Sequence, residues 1–135
     1  MARDFRKLVA WRNADELAVE VYRSTATGFP PNEKFGLVAQ MREAAVSVAA
    51  NIAEGSGRQT DPDFRRFLFI AQGSLSEVEY YLHLARRLGF MDSASSAEVN
   101  QCRAAAGRTL TGLIRATCKG RRHRFGENEE ASEQS

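Results

Sequence analysis

His83 and His123 are the only histidines of the chain, and imidazole is the side chain that most often ligates metals or moves protons near neutral pH. Glu79 stands four positions before His83, whereas a di-iron bundle needs Glu-x-x-His on two helices plus further inward glutamates. The pattern has no second copy, so no metal centre is expected, and His83 is placed on a solvated strip of its helix with Arg65, Gln72 and Ser76. Gly55-Ser56-Gly57-Arg58 has the glycines of a phosphate loop, but it follows a helical pattern rather than a strand and lacks the Gly-Lys-Ser/Thr ending. It reads as a helix stop and a flexible turn, with Gly55 as a left-handed C-cap. No serine or cysteine has a base and an orienting acid near it in sequence. The expectation is a protein without catalytic residues, metal or cofactor.

The cations carry more information. Between Val99 and Gly126 there is no Asp or Glu, while Arg103, Arg108, Arg115, Lys119, Arg121, Arg122 and Arg124 are all positive. On a helical projection Arg108, Arg115, Lys119 and Arg122 fall within about 60° of one another and opposite the apolar face, a ridge about 20 Å long. Such a ridge matches the spacing of phosphate backbones. Arg58, Arg65 and Arg66 form a second, weaker group at another joint. Arginine exceeds lysine by 16 to three, which suits bidentate phosphate contacts and equally fits a GC-rich genome. The ridge can instead be solvated, paired with Asp15, Glu16 and Glu20 of the first helix, or masked by the acidic residues from Glu127 onward.

These side chains need elements to hold them. The 135 residues, 43% hydrophobic and 27% charged, suit one globular domain rather than a disordered polymer. No apolar run approaches the roughly 18 residues that span a bilayer, and no signal peptide is read at the start, so a cytoplasmic location is expected. Cys102 and Cys118, on one helix, would lie about 24 Å apart along it, too far for a mutual disulfide. Twenty alanines and three prolines favour helices. The first helix is predicted from Val9 to Thr27. The second begins between Glu33 and Leu37 and stops at Gly55, with Ala45, Ala49 and Ala50 allowing close approach by another helix. The third runs from the Thr60/Asp61 cap to Leu88 with Gly89 as terminator. The fourth starts at the Ser95–Glu98 capping-box pattern and continues to Gly120. No strand is predicted. The architecture expected is all-α, an antiparallel up-down four-helix bundle with a long third helix, over residues 1–120, followed by a basic-then-acidic disordered tail over 121–135. All the cations and thirteen of the seventeen acids fall within residues 1–126, a net +6 behind the chain's formal +2. The apolar residues of the third helix sweep roughly 200°, more than the roughly 100° that a surface helix buries, which points to a partner subunit or to cover from residues 1–8.

Phe5-Arg6-Lys7-Leu8-Val9-Ala10-Trp11, Phe35-Gly36-Leu37, the long stretch from Gln40 to Arg58, Gly73-Ser74-Leu75-Ser76-Glu77 and Arg86-Arg87-Leu88-Gly89 together resemble the bacterial proteins encoded by intervening sequences of 23S ribosomal RNA genes. The resemblance covers about Phe5 to Lys119. It implies four-helix bundles assembled as a pentameric ring, similar to the accessory protein of diversity-generating retroelements, which assists a reverse transcriptase. It implies nucleic-acid binding, RNA or DNA, and brings no catalytic residues. Glu43 departs from it, standing where a basic residue is frequent. Within the Gln40–Arg58 stretch, Asn51 and Glu54 are expected to bond the turn to the third helix and hold Arg58 or Arg42, or to present a polar patch to a ligand. The function expected is an oligomeric nucleic-acid binder. The alternative is an adaptor whose partner is a protein such as a polymerase.

Overall fold

The computed structural model describes the backbone of residues 3–125 and the side chains of residues 3–118. Four α-helices follow in order: α1 (Val9–Ser24), α2 (Leu37–Ser56), α3 (Asp61–Arg87) and α4 (Ser93–Phe125), with short 3-10 turns at Phe5–Lys7 and Pro31–Glu33. There is no strand among the described residues. Each helix packs on its neighbours in the chain, and α4 closes the ring on α1, which is the up-down four-helix bundle the sequence predicts.

The core is built from one stripe of each helix: Ala14, Leu17 and Val21 of α1, Met41, Val48 and Ile52 of α2, Phe64, Leu68 and Val78 of α3, and Val99, Ala106 and Leu110 of α4 are buried. Their three-and-four spacing is the periodicity that sequence reading relies on. Segment ends differ more. The α3 N-terminus is as expected, Thr60 accepting from the Asp63 amide at 3.2 Å, with Pro62 in the first turn. Gly89 follows α3 with φ +77, the left-handed terminator. The first helix ends at Ser24 rather than Thr27, with Thr25 as its C-cap, whose amide and buried hydroxyl both donate to the Val21 carbonyl, at 3.0 and 2.7 Å. The fourth begins two residues before the expected cap: Asp92 accepts from the Ser95 amide at 2.8 Å and takes the N-terminal role given to Ser95. The α4 backbone then stays helical to Phe125, so α4, not α3, is the longest helix at 33 residues, roughly 50 Å. Residues 126–135, where the acidic part of the expected tail falls, lie outside the described residues.

Gly55 corrects the sequence reading most clearly. It is a buried interior residue of α2, and the positive-φ residues are Gly28 and Gly89 instead. A Cβ on Gly55 would lie 2.8 Å from Phe67 Cβ and 3.0 Å from the Phe64 ring. Its missing side chain lets α2 and α3 close together above the turn; it does not terminate a helix.

Part of the apolar excess of α3 is covered from within the chain, as the second of the two expected alternatives has it. Phe64 lies under the Arg3 guanidinium at 4.2 Å, and Phe67 is flanked by Arg58 at 4.6 Å and Arg66 at 4.4 Å. Residues from the N-terminal segment and the turn thus serve as the missing partner for that end. Ile70 and Leu88 are the members of the predicted arc that stay exposed. The barest apolar side chain lies elsewhere: Phe35, 87% exposed, borders a hollow with Tyr22, Ala39, Val46 and Ala50.

Candidate nucleic-acid interface

The side of α4 that faces α1 is fixed by Asn13, whose amide donates to the Ala105 carbonyl at 3.4 Å and to Thr109 Oγ1 at 3.2 Å. Arg108 and Arg115 project away from that contact and are both exposed. They are seven residues apart, about 10 Å along the helix. Neither makes an ion pair or side-chain hydrogen bond to another described residue. Pairing with the first helix is therefore corrected for these two: Glu20 turns to Arg23 at 3.7 Å and to Ser24 at 3.1 Å, and α1 contacts the opposite flank of α4. Lys119, Arg121, Arg122 and Arg124 belong to the helical backbone that continues to Phe125, but their side chains lie outside the described residues.

Beside the two arginines, α3 and α4 part to leave a groove of about 540 Å³. Its floor is Leu75 and Leu110 with the small residues Ala104 and Gly107; polar groups of Gln72, Ser76, Glu79 and Thr111 stand along it, and Arg103, Arg108 and Arg115 border it. Gly107 keeps the floor low, since a Cβ there would already touch Leu75 Cδ2 at 3.4 Å. Arg103 is held in place, its Nε donating to Asn100 at 2.9 Å and its guanidinium 3.9 Å from Glu79. The arrangement puts fixed and free positive charge along the rim of an apolar trough.

The second arginine group does not assemble into one surface. Arg58 bonds Glu54 at 2.8 Å and lies 3.9 Å from Asp63, and Arg66 pairs with Asp63 at 3.1 Å. Arg65 goes the other way: it is buried against α4, its guanidinium donating to the Thr117 carbonyl and hydroxyl, both at 3.4 Å. It therefore leaves the solvated strip assigned to it, on which Ser76 and His83 are exposed and Gln72 half-buried. Arg3 completes the turn cluster, bonding Asp61 at 2.6 Å and the Arg58 carbonyl at 2.9 Å. Glu54 holds Arg58 as expected. Asn51 does not touch the turn: its amide donates to the Ser47 carbonyl at 2.9 Å and hydroxyl at 3.0 Å, and Ser47 meets Ser74 of α3 at 2.8 Å. Arg42 is held by α1 instead, donating to Thr25 Oγ1 at 2.9 Å and lying over the Tyr22 ring at 4.5 Å.

Cys102 and Cys118 are free thiols. Burial, with Glu20, Glu16 and Glu98 nearby, pushes the Cys102 thiol up and away from the nucleophilic thiolate. Among the described residues no three His, Cys, Asp or Glu side chains gather into a metal cluster, and no helix is long and apolar enough to cross a membrane.

Sequence reasoning found Arg108 and Arg115 but not the groove beside them. Gln72 was placed on a solvated strip and Arg103 among the cations, and Thr111 was not singled out, because which way one helix turns toward its neighbour is set by packing. The small residues Ala104 and Gly107 on the α3-facing side of α4 were the available signal.

Four helices packed in a ring define the class as an all-α helical-bundle protein. The model of the 23S rRNA-intervening sequence protein family matches residues 6–112, and the chain belongs to that family. A crystal structure of a protein of unknown function from the S23 ribosomal protein family of Bacteroides thetaiotaomicron VPI-5482 superimposes with a TM-score of 0.72 at 24% identity, covering 78% of this chain and 98% of that one. At that identity the likeness establishes the shared fold. Comparison with the curated proteins gives no match.

Proposed function

We propose that this protein is a non-enzymatic, cytoplasmic, self-associating bundle that binds RNA or DNA through backbone phosphates along the outer flank of α4. The observation that carries the reading is the pair Arg108 and Arg115, exposed and with no ion pair or side-chain hydrogen bond to another described residue, in a stretch from Val99 to Gly126 that holds no acid. Unpaired guanidinium groups at this spacing neutralise phosphates without reading bases, so affinity falls steeply with salt and varies little with sequence. Lys119, Arg121, Arg122 and Arg124 extend the same charge along the chain. Replacing Arg108, Arg115 and Lys119 together by Ala reduces affinity for every sequence in a mobility-shift titration; unchanged binding would overturn the reading.

Self-association, with a pentamer as the expected number, is supported by the exposed Phe35, Val46 and Tyr22 at the α1–α2 side, since soluble proteins seldom leave such apolar patches bare. Light scattering at micromolar concentration tests it, and a monomer would overturn it. The same patch favours a second reading, an adaptor that docks a protein client such as a polymerase. That reading gains if the pure protein binds no nucleic acid even at low salt.

A further inference from the structure

The groove between α3 and α4 has a shape and chemistry that phosphate contact alone does not use. Phosphates need Arg108 and Arg115, which stand at its mouth; they gain nothing from a floor of Leu75 and Leu110 set below the guanidinium groups. An apolar floor wants a flat apolar face, and along the groove the amide of Gln72 and the hydroxyl of Thr111 supply donors and acceptors for a polar edge. A volume of about 540 Å³ falls in the range of small-molecule sites. A nucleobase has this combination of apolar face and hydrogen-bonding edge, and bases released from pairing are recognised on stacking surfaces and arginine planes.

In a duplex the bases are stacked inside and the outer surface is sugar and phosphate, so a duplex laid on this flank reaches the arginines and leaves the trough empty. Glu79 and Arg103, 3.9 Å apart, offset each other's charge at one end of the trough. The uncompensated positive charge is at Arg108 and Arg115, which draws the backbone along them and leaves the interior for a base. We infer that the α3–α4 groove takes an unpaired nucleobase while Arg108 and Arg115 hold its flanking phosphates, so that the ligand is a single-stranded segment. The inference rests on the nucleic-acid reading above and specifies the strand state of its ligand.

The test measures anisotropy of the full chain with labelled oligonucleotides of equal length: a single strand, its duplex, and an abasic single strand that keeps sugars and phosphates. The single strand binds tighter than the other two, by about threefold to tenfold against the abasic strand, the order expected for covering one apolar face of a base with Leu75 and Leu110. Gly107→Leu, which fills the floor, removes that preference and leaves abasic affinity unchanged. Gln72→Leu, at a half-buried position where folding is less at risk, weakens only the base-bearing strand. Equal affinity for all three oligonucleotides in the wild type overturns the groove inference and leaves the phosphate reading standing. Absence of binding to any of them overturns both, as does equal displacement by polyglutamate of matched charge.

Discussion

Arginines crowd two regions of this molecule, the α2–α3 turn and the outer flank of α4, and the two differ in what surrounds each guanidinium. At the turn, Arg3, Arg58 and Arg66 meet Asp61, Glu54 and Asp63 and lie over the rings of Phe64 and Phe67. On α4, Arg108 and Arg115 meet no acid among the described residues: none stands within a turn of them on their own helix, and Glu79 of α3 goes to Arg103. Charge at the turn is spent inside the protein, where it shields aromatic rings from water. Charge at Arg108 and Arg115 is open to solvent. Counting cations along a sequence therefore overstates a binding surface wherever acids stand one helical turn away.

The largest expected effect separates the two regions by binding. Arg108→Ala with Arg115→Ala lowers nucleic-acid affinity at least about tenfold near physiological salt and flattens the plot of log K against log salt by about 0.7 to 0.9 per cation removed. Arg58→Ala with Arg66→Ala leaves both affinity and slope within about twofold, because those guanidinium groups already have partners. Filter binding at several salt concentrations reads both quantities. If the turn variant loses as much as the α4 variant, the distinction between spent and available charge fails.

Stability separates the regions in the opposite direction. Gly55→Ala at the turn pushes a Cβ to 2.8 Å from Phe67 Cβ, an overpacking that costs about 1–3 kcal/mol in urea unfolding. Gly112→Ala on the exposed flank of α4 meets nothing within 4 Å and stabilises by up to about 1 kcal/mol through helix propensity. Two glycines inside helices thus give opposite signs, and equal signs would show that the close approach at the turn relaxes freely.

Those two glycines also mark what was legible in the sequence. Periodicity exposed the buried stripes, because every core residue named above repeats at threes and fours and needs only a common solvent-free side. It also found Thr60 and Gly89, whose signals act within one turn of chain. It misread Gly55, since a glycine that permits helix contact and one that ends a helix look alike until the partner helix is in place. It missed the groove for the same reason: Gln72 and Gly107 meet only after α3 and α4 choose their relative rotation. It also placed Arg65 among solvated residues, although that side chain reaches Thr117 on another helix.

The turn cluster makes a smaller prediction of its own. Arg58 and Arg66 each pair across partly exposed groups, with side chains 38% and 59% exposed, so screening leaves about 0–1 kcal/mol for each pair. Their positions over Phe67 add about 0.5–1 kcal/mol apiece. Replacing both by Met, which still covers the ring without charge, recovers part of what replacing both by Ala loses. Were the two double variants equally unstable, ion pairing rather than ring cover would hold this end.

The smallest effect belongs to the opposite turn, where a carboxylate is satisfied by backbone instead of by arginine. Asp92 accepts from the Ser95 amide at 2.8 Å, and chiefly that bond, with further help from the Ser95 side chain, the Ala94 amide and Arg86, holds its carboxyl below the ordinary aspartate value. A carboxyl whose pKa is lowered by folding contributes stability above its unfolded pKa and loses it as pH falls through the lower folded value. Acid should therefore loosen the start of α4. Asp92→Asn keeps an acceptor at the same place but does not titrate, so wild type is the more stable near neutral pH and its advantage shrinks as the pH drops below the aspartate range. Unfolding curves of the two proteins that keep a constant separation across that range would show that the carboxylate's charge has no part in starting α4.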